Sequence, residues 1–206
     1  MAKASKTRTG NLREDCVAEA LSIIATDGID KLSLREVARR LGVSHQAPYK
    51  HYESRDHLLA EVLKGAYSQF ANYLDSQLKK GSANENHLRE MGEAYIRYAM
   101  SHPLEYQLMF NTDLPDPSGH PDMLKQAHHA FDMLRDALRS RAKTSQRPMA
   151  AKEIDHQALF VWSTLHGFVS IMRSEVAAEL KVGAKQSAAT DVLSHIGRAI
   201  GGLSTK

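Results

Sequence analysis

The sequence predicts an all-α fold in two parts, a small basic head and a larger helical body. Three observations predict it. Apolar residues recur three and four apart along nearly the whole chain, and no apolar–polar alternation of useful length marks a strand. Clusters of Gly, Pro and Asn cut that pattern into about nine helical segments. Charge is unevenly placed: residues 1–52 hold nine of the 27 Lys and Arg and six of the 24 Asp and Glu, so the formal excess of +3 lies in the first quarter.

Residues 1–10 are polar, end on Gly10 and read as a flexible basic arm. From Leu12 the helical period sets in, with Leu12, Cys16, Ala20 and Ile24 flanked by Val17 and Leu21. This first helix ends at Asp27-Gly28, where glycine can take a positive φ. Ser33, followed by Glu36, is a capping-box pattern for a second helix. That helix should bury Leu34, Val37, Ala38 and Leu41 and end at Gly42. Ser44 is the expected cap of a third, short helix to about Tyr52. Ser54, with Asp56 behind it, starts a fourth along Leu58, Leu59, Val62, Ala66, Phe70, Tyr73 and Leu74, which the run Gly81 to Asn84 breaks.

A fifth helix runs to about Met100 and stops before Pro103. A sixth covers Pro103 to Phe110, with proline at a permitted first-turn position. Residues 111–122 contain three Pro and a Gly and read as a loop. A seventh spans about 122–142. The eighth, 152–174, is apolar nearly all round from Ala158 to Met172, which predicts burial on most faces. The ninth, 185–203, carries Ala189, Val192, Leu193, Ile196, Ala199, Ile200 and Leu203. The expected division is an arm over 1–10, a head over 11–56 and a body over 57–206.

Composition excludes several classes. No apolar run approaches the roughly 18 residues of a membrane span, and the first residues lack the apolar core of a secretory leader. A cytoplasmic protein with no membrane partner is expected. A single cysteine, Cys16, allows no internal disulfide and no multi-cysteine zinc site. His128 and Asp132 have metal-ligand spacing, but one pair falls short of the three or four ligands a metal needs. No phosphate-binding glycine loop, HExxH or catalytic Ser/His/Asp pattern is present, so neither an enzyme nor a cofactor is expected. A basic head on a neutral body suits a polyanionic partner; a merely solvated tail is the other reading.

The informative stretch is Ser33 to Tyr52. Two short helices around a Gly-containing turn make a helix-turn-helix (33–52), with Ala38 small at the crossing, Gly42 in the turn and Val43 plugging the angle. The first helix must supply the third wall. The second helix of the pair would lie in the major groove and present His45, Gln46, Ala47, Tyr49 and Lys50. Gln46 suits adenine, Lys50 guanine or phosphate, and Ala47 a thymine methyl. Tyr49, His51 and Arg55 have donors suited to phosphate. Pro48 must lie in or beside the first turn.

Residues Arg13 to Leu63 resemble the DNA-binding domain of the TetR family of bacterial transcription regulators. The resemblance rests on Ser33-Leu34-Arg35-Glu36-Val37-Ala38, Leu41-Gly42-Val43-Ser44, Tyr49-Lys50-His51-Tyr52 and Arg55-Asp56-His57-Leu58, in order and at matching distances. Two residues depart from the pattern: Tyr52 stands where Phe is usual, and Arg55 where Lys is usual. The segment Val161 to Val169 resembles the Trp-x-x-x-His-Gly signature of one subgroup, as does Ala47-Pro48-Tyr49.

The resemblance implies a homodimer through 152–174 and 185–203, a body cavity for a small-molecule effector, and double-stranded operator DNA as partner. It places Ser33, Ser44, His45, Gln46, Ala47, Tyr49, Lys50, His51 and Arg55 toward DNA. The implied function is a ligand-responsive regulator, as a repressor; the alternatives are a small helical enzyme or an architectural DNA-binding protein without effector. Tyr95, Tyr98, Tyr106, Met109, Phe110, Phe131, Trp162, His166 and Met172 either line that cavity or form plain core. Trp162 and His166, four apart on one helix face, are either effector contacts or a buried aromatic stacked on a hydrogen-bonded histidine, with Gly167 allowing close helix approach.

Overall fold

The computed structural model describes residues 11–77, 87–144, 146, 148–179 and 185–202. Within them are eight α-helices and four short 3-10 turns, with no strand. The arm 1–10, the break at Gly81 to Asn84 and Leu203 lie outside the described residues.

The helices are α1 Leu12–Asp27, α2 Leu34–Leu41, α3 Arg55–Gln77, α4 His87–Ser101, α5 Pro103–Phe110, α6 Pro121–Thr144, α7 Ala151–Arg173 and α8 Lys185–Gly202. The chain divides into two compact units, Met1–Tyr67 with Gln107–Gln126, and Ser68–Tyr106 with Ala127–Lys206. The division falls inside α3, α5 and α6.

In the first unit, Asn11 caps α1 by accepting from the Arg13 N–H at 3.1 Å. The buried face of α1 is Cys16, Glu19, Ala20, Ile23 and Ile24, so Ile23 takes the place expected of Leu12 and Leu21, which are half-buried. Burial pushes the Cys16 thiol up, as suits a packing residue. Gly28 sits at φ 89°, ψ 162°, a region that L side chains avoid, and turns the chain into a 3-10 turn at Ile29–Lys31. Ser33 caps α2, its Oγ accepting from the Glu36 N–H at 3.1 Å. Gly42, at φ 66°, ends α2, and the Val43 N–H returns to the Ala38 carbonyl at 3.1 Å. Leu34, Val37 and Ala38 are buried; Leu41, expected with them, is half-buried because the helix ends there.

An ion cluster ties α1 to α2. Arg40 bonds Glu36 through Nε at 2.8 Å, contacts Asp27, and stands 3.8 Å from Glu19, whose side chain is buried. Arg39 grips both Glu36 oxygens, Nε donating to Oε2 at 2.7 Å and Nη2 to the Oε1 it shares with Arg40 at 2.6 Å. Bonds from Arg39 and then Arg40 pull the Glu36 carboxyl down to about 2.

The third expected helix is not an α-helix. Residues 45–47 form a turn, followed by a single 3-10 turn at Pro48–Lys50. The Ser44 side chain caps nothing there; its carbonyl accepts from the Ala47 N–H at 2.9 Å instead. The cause is Pro48, which has no N–H to give to the Ser44 carbonyl in an i to i−4 bond. Tyr52 is buried, and its hydroxyl donates to the Arg13 carbonyl at 2.9 Å. Ser54 caps α3 by accepting from the His57 N–H at 3.3 Å. The segment from α5 into α6 joins this unit: Tyr67 Oη donates to the Met109 carbonyl at 2.8 Å, and the His57 and His120 rings meet edge to face at 4.8 Å.

In the second unit α4 packs against α7 and α8, and α7 against α8. Gly92 lets α4 come close, since a Cβ there would stand 2.5 Å from a Leu193 methyl. Arg135 joins α6 to Asp155 of α7 at 2.9 Å, and Arg141 donates to the Ile200 carbonyl near the end of α8 at 3.2 Å. The buried face of α7 is Ile154, Gln157, Ala158, Val161, Leu165, Val169 and Met172. The expectation of burial on most faces is corrected, because Leu159, Phe160 and Ile171 of α7 are 44–53% exposed.

Acid titration tests the head's ion cluster. The Glu36 carboxyl titrates lower in the folded chain than its ordinary 4.5, so its contribution to stability is complete above that value and lost as pH falls toward 2. Glu36→Gln is expected to lower stability at pH 7, with the deficit shrinking below pH 4.5. Chemical denaturation across that range checks it; a deficit independent of pH would contradict the assignment.

Candidate functional site

The exposed edge of the head is built by neutralising most of its own charge. Among the described residues of 11–56, Arg13 pairs with Glu61 at 3.5 Å, Arg39 and Arg40 are held by Glu36, and Arg55 is bound to backbone carbonyls. Lys31, Arg35 and Lys50 are the cations with no partner there, and all three are exposed. Lys31 lies in the first 3-10 turn, Arg35 in the first turn of α2, and Lys50 in the second 3-10 turn.

The nine residues expected toward DNA fall into three groups. Ser44, His45, Gln46, Tyr49, Lys50 and His51 are exposed, with Tyr49 at 45%. Ala47 is half-buried above a buried Pro48. Ser33 is half-buried, with its oxygen already accepting from Glu36. Arg55 differs from expectation: Nε donates to the Leu32 carbonyl and Nη2 to the Ile29 carbonyl, both at 3.2 Å, and Nη1 lies 3.3 Å from Asp56. Lys31 and Arg35 were not singled out from the sequence as DNA-facing; only the pairing of the other cations identifies them.

Four of the nine body candidates come together around one hydrogen-bonded chain. Trp162 bonds the Tyr95 hydroxyl, the Tyr95 and Tyr106 hydroxyls are 2.9 Å apart, and Tyr106 Oη lies 2.7 Å from His166 Nδ1. An indole can only donate. Every hydroxyl proton in the chain is used when Tyr95 donates to Tyr106 and Tyr106 donates to Nδ1, an arrangement that requires His166 in its neutral form. Burial also lowers the His166 pKa, which agrees with that form. Desolvation raises Tyr106 to about 12 and Tyr95 further. Arg173 covers the Tyr106 ring at 5.5 Å and bonds the Pro103 carbonyl at 3.1 Å.

Phe131 packs on Trp162 at 5.5 Å. Tyr98 stacks on His102 at 4.3 Å and touches Phe70, and its buried hydroxyl has no partner among the described residues. Met172 is buried on α7. Met109 and Phe110 belong to the first unit, beside Tyr67. Asp132 pairs with Arg135 at 3.0 Å, and no group of three potential metal-ligating residues stands together among the described residues. No helix among them is long and apolar enough to cross a membrane.

Known proteins match this chain over most of its length. The family model described as "Bacterial regulatory proteins, tetR family" matches residues 17–62, and one described as "Tetracyclin repressor-like, C-terminal domain" matches residues 88–194. The HTH-type transcriptional regulator Rv0681 of Mycobacterium tuberculosis is 26% identical over 172 residues, 84% of this chain and 75% of its own length. The HTH-type regulator Mb1846 of Mycobacterium bovis is 31% identical over 97 residues, 46% of this chain and 42% of its own. A solved protein from Rhodococcus sp. RHA1, described as of unknown function, superposes with a TM-score of 0.75 at 23% identity, over 95% of this chain and 98% of that one, a likeness of fold. Matched by these two models over residues 17–62 and 88–194, the chain belongs to the TetR family of DNA-binding transcriptional regulators.

Proposed function

We propose that this regulator is a homodimeric repressor that leaves its operator when a small effector binds the body. The observation that carries the DNA half is the charge allocation: the head spends four cations on its own fold and leaves Lys31, Arg35 and Lys50 exposed, as are Gln46 and Tyr49. In this reading residues 1–10 are a basic arm, 11–56 the DNA-binding head and 57–206 the effector and dimer body. Gln46 and Lys50 read base edges, while Lys31, Arg35, Tyr49 and His51 meet phosphate. The effector site is the aromatic cluster around Tyr95, Tyr106, Trp162 and His166, whose polar chain offers a mostly apolar ligand one place to anchor. An effector favouring the form with wrongly spaced heads would shift the population off DNA.

The dimer half rests on α7. Leu159, Phe160 and Ile171 are exposed, and Ser163, Gly167 and Ser170 lie on the same side of the helix. A Cβ on Gly167 would meet nothing within 4 Å, so its smallness answers no neighbour in its own subunit. An apolar face with a low centre suits close approach of a second copy's helix. Val169, fully buried within the subunit, lies outside that face.

Two measurements test the reading. Lys31 and Arg35, two phosphate-bound cations from each of two heads, give a log–log salt slope of about −3.6 for operator binding, steeper with the arms. Gln46→Ala should relax preference at particular base positions, whereas Tyr49→Phe should weaken all sequences alike. A slope near zero would refute the DNA reading. Separately, Phe160→Glu should give a folded monomer by sedimentation, with reduced operator affinity, because the site is solvent-exposed in one subunit. A mutant that stays dimeric, or a wild-type protein that is monomeric at micromolar concentration, would overturn the interface.

A further inference from the structure

Arg55 occupies the place where the family pattern has a lysine and where sequence reasoning expects a phosphate ligand. Its guanidinium is committed elsewhere. Nε and Nη2 fork onto the Leu32 and Ile29 carbonyls at 3.2 Å each, and Nη1 faces Asp56 at 3.3 Å. The connection it grips is weak by itself. Gly28 turns the chain with a positive φ, and the 3-10 turn Ile29–Lys31 has two backbone bonds, Lys31 to Gly28 and Leu32 to Ile29. This connection carries Lys31 and leads straight into Ser33, the cap of α2, and Arg35 in its first turn.

We propose that Arg55 is a positioning residue for DNA binding: it ties the first residue of α3 to the 29–32 turn and so holds Lys31 and Arg35 at fixed places, without itself contacting phosphate. The chemistry explains the residue type. A planar guanidinium can donate to two carbonyls at once from two nitrogens, whereas a lysine ammonium is a compact point charge with no such fork. At this position arginine and lysine are therefore different in function.

Salt dependence separates positioning from contact, because each phosphate-bound cation adds a fixed increment to the slope. Binding to a duplex selected from a random-sequence pool is measured against salt for the wild type, Arg55→Ala, Arg55→Lys and Arg35→Ala. The expected result for Arg55→Ala is affinity lower by about tenfold at an unchanged slope. Arg55→Lys should recover only part of that loss. Arg35→Ala should reduce the slope by about 1.8, one increment in each of two heads. Hydrogen exchange at the Lys31 and Leu32 amides should accelerate in both Arg55 variants while α1 stays protected. A slope reduced by about 1.8 in Arg55→Ala, with full recovery by Arg55→Lys, would make Arg55 a phosphate ligand and overturn the proposal. So would an affinity per folded molecule equal to the wild type, which would leave Arg55 a purely structural role. If the alanine variant does not fold, the lysine variant decides alone: reduced affinity with fast Lys31 and Leu32 exchange supports positioning, and wild-type affinity contradicts it.

Discussion

The head has too little apolar surface of its own to hold the angle between its reading elements. α2 has eight residues and the turn after it three, so together they bury few side chains. What fixes them is a set of cross-links to α1 and α3. Arg40 reaches back to Asp27 and Glu19, Tyr52 anchors to the Arg13 carbonyl, and Arg55 grips the turn before α2. Each link satisfies a polar group that would otherwise be left half-buried and unpaired, which is where the energetic asymmetry of hydrogen bonding is largest. The exposed ion pairs among them add little alone; their value is geometric.

That constraint has a direct consequence for function. A cation used to brace the fold is unavailable to a polyanion, so the formal charge of the head overstates what DNA can meet. The same side chains that make the edge rigid also make it selective about which cations protrude. Rigidity matters because base readout needs donors placed to within a fraction of a hydrogen-bond length, whereas a floppy edge would bind phosphates without register.

Much of this was legible in the sequence, and the gaps have physical causes. Helix limits followed from caps and breakers: Ser33, Gly42, Ser54 and Pro103 act locally, within four residues of the groups they satisfy, whereas Asn11, which caps α1, was passed over. The third helix was overread from Ser44 as its expected cap, whereas Pro48 has no N–H to return to the Ser44 carbonyl and the segment forms a turn and a 3-10 turn. Buried Glu19 was invisible because its partner Arg40 is 21 residues away. The role of Arg55 was misjudged for the same reason: motif and charge suggest phosphate, and only the fold shows the Ile29 and Leu32 carbonyls in its reach. In the body, Trp162 and His166 were read as one pair, whereas each bonds a tyrosine from another helix, Tyr95 and Tyr106, which link the two into a chain. For α7, composition could not distinguish an apolar face turned inward, as at Val169, from one turned outward, as at Phe160.

The central claim is that the head's arginines are divided between bracing and contact. The most direct test observes each guanidinium in solution. In a spectrum of 15N-labelled arginine side chains, the Nε–H signals of Arg40 and Arg55 should exchange slowly in the free protein and stay in place when operator duplex is added. The Arg35 signal should exchange fast when free and shift on binding. Slow, unmoved signals for Arg40 and Arg55 beside a moving Arg35 are what the account predicts. A large shift at Arg55 with none at Arg35 would contradict it.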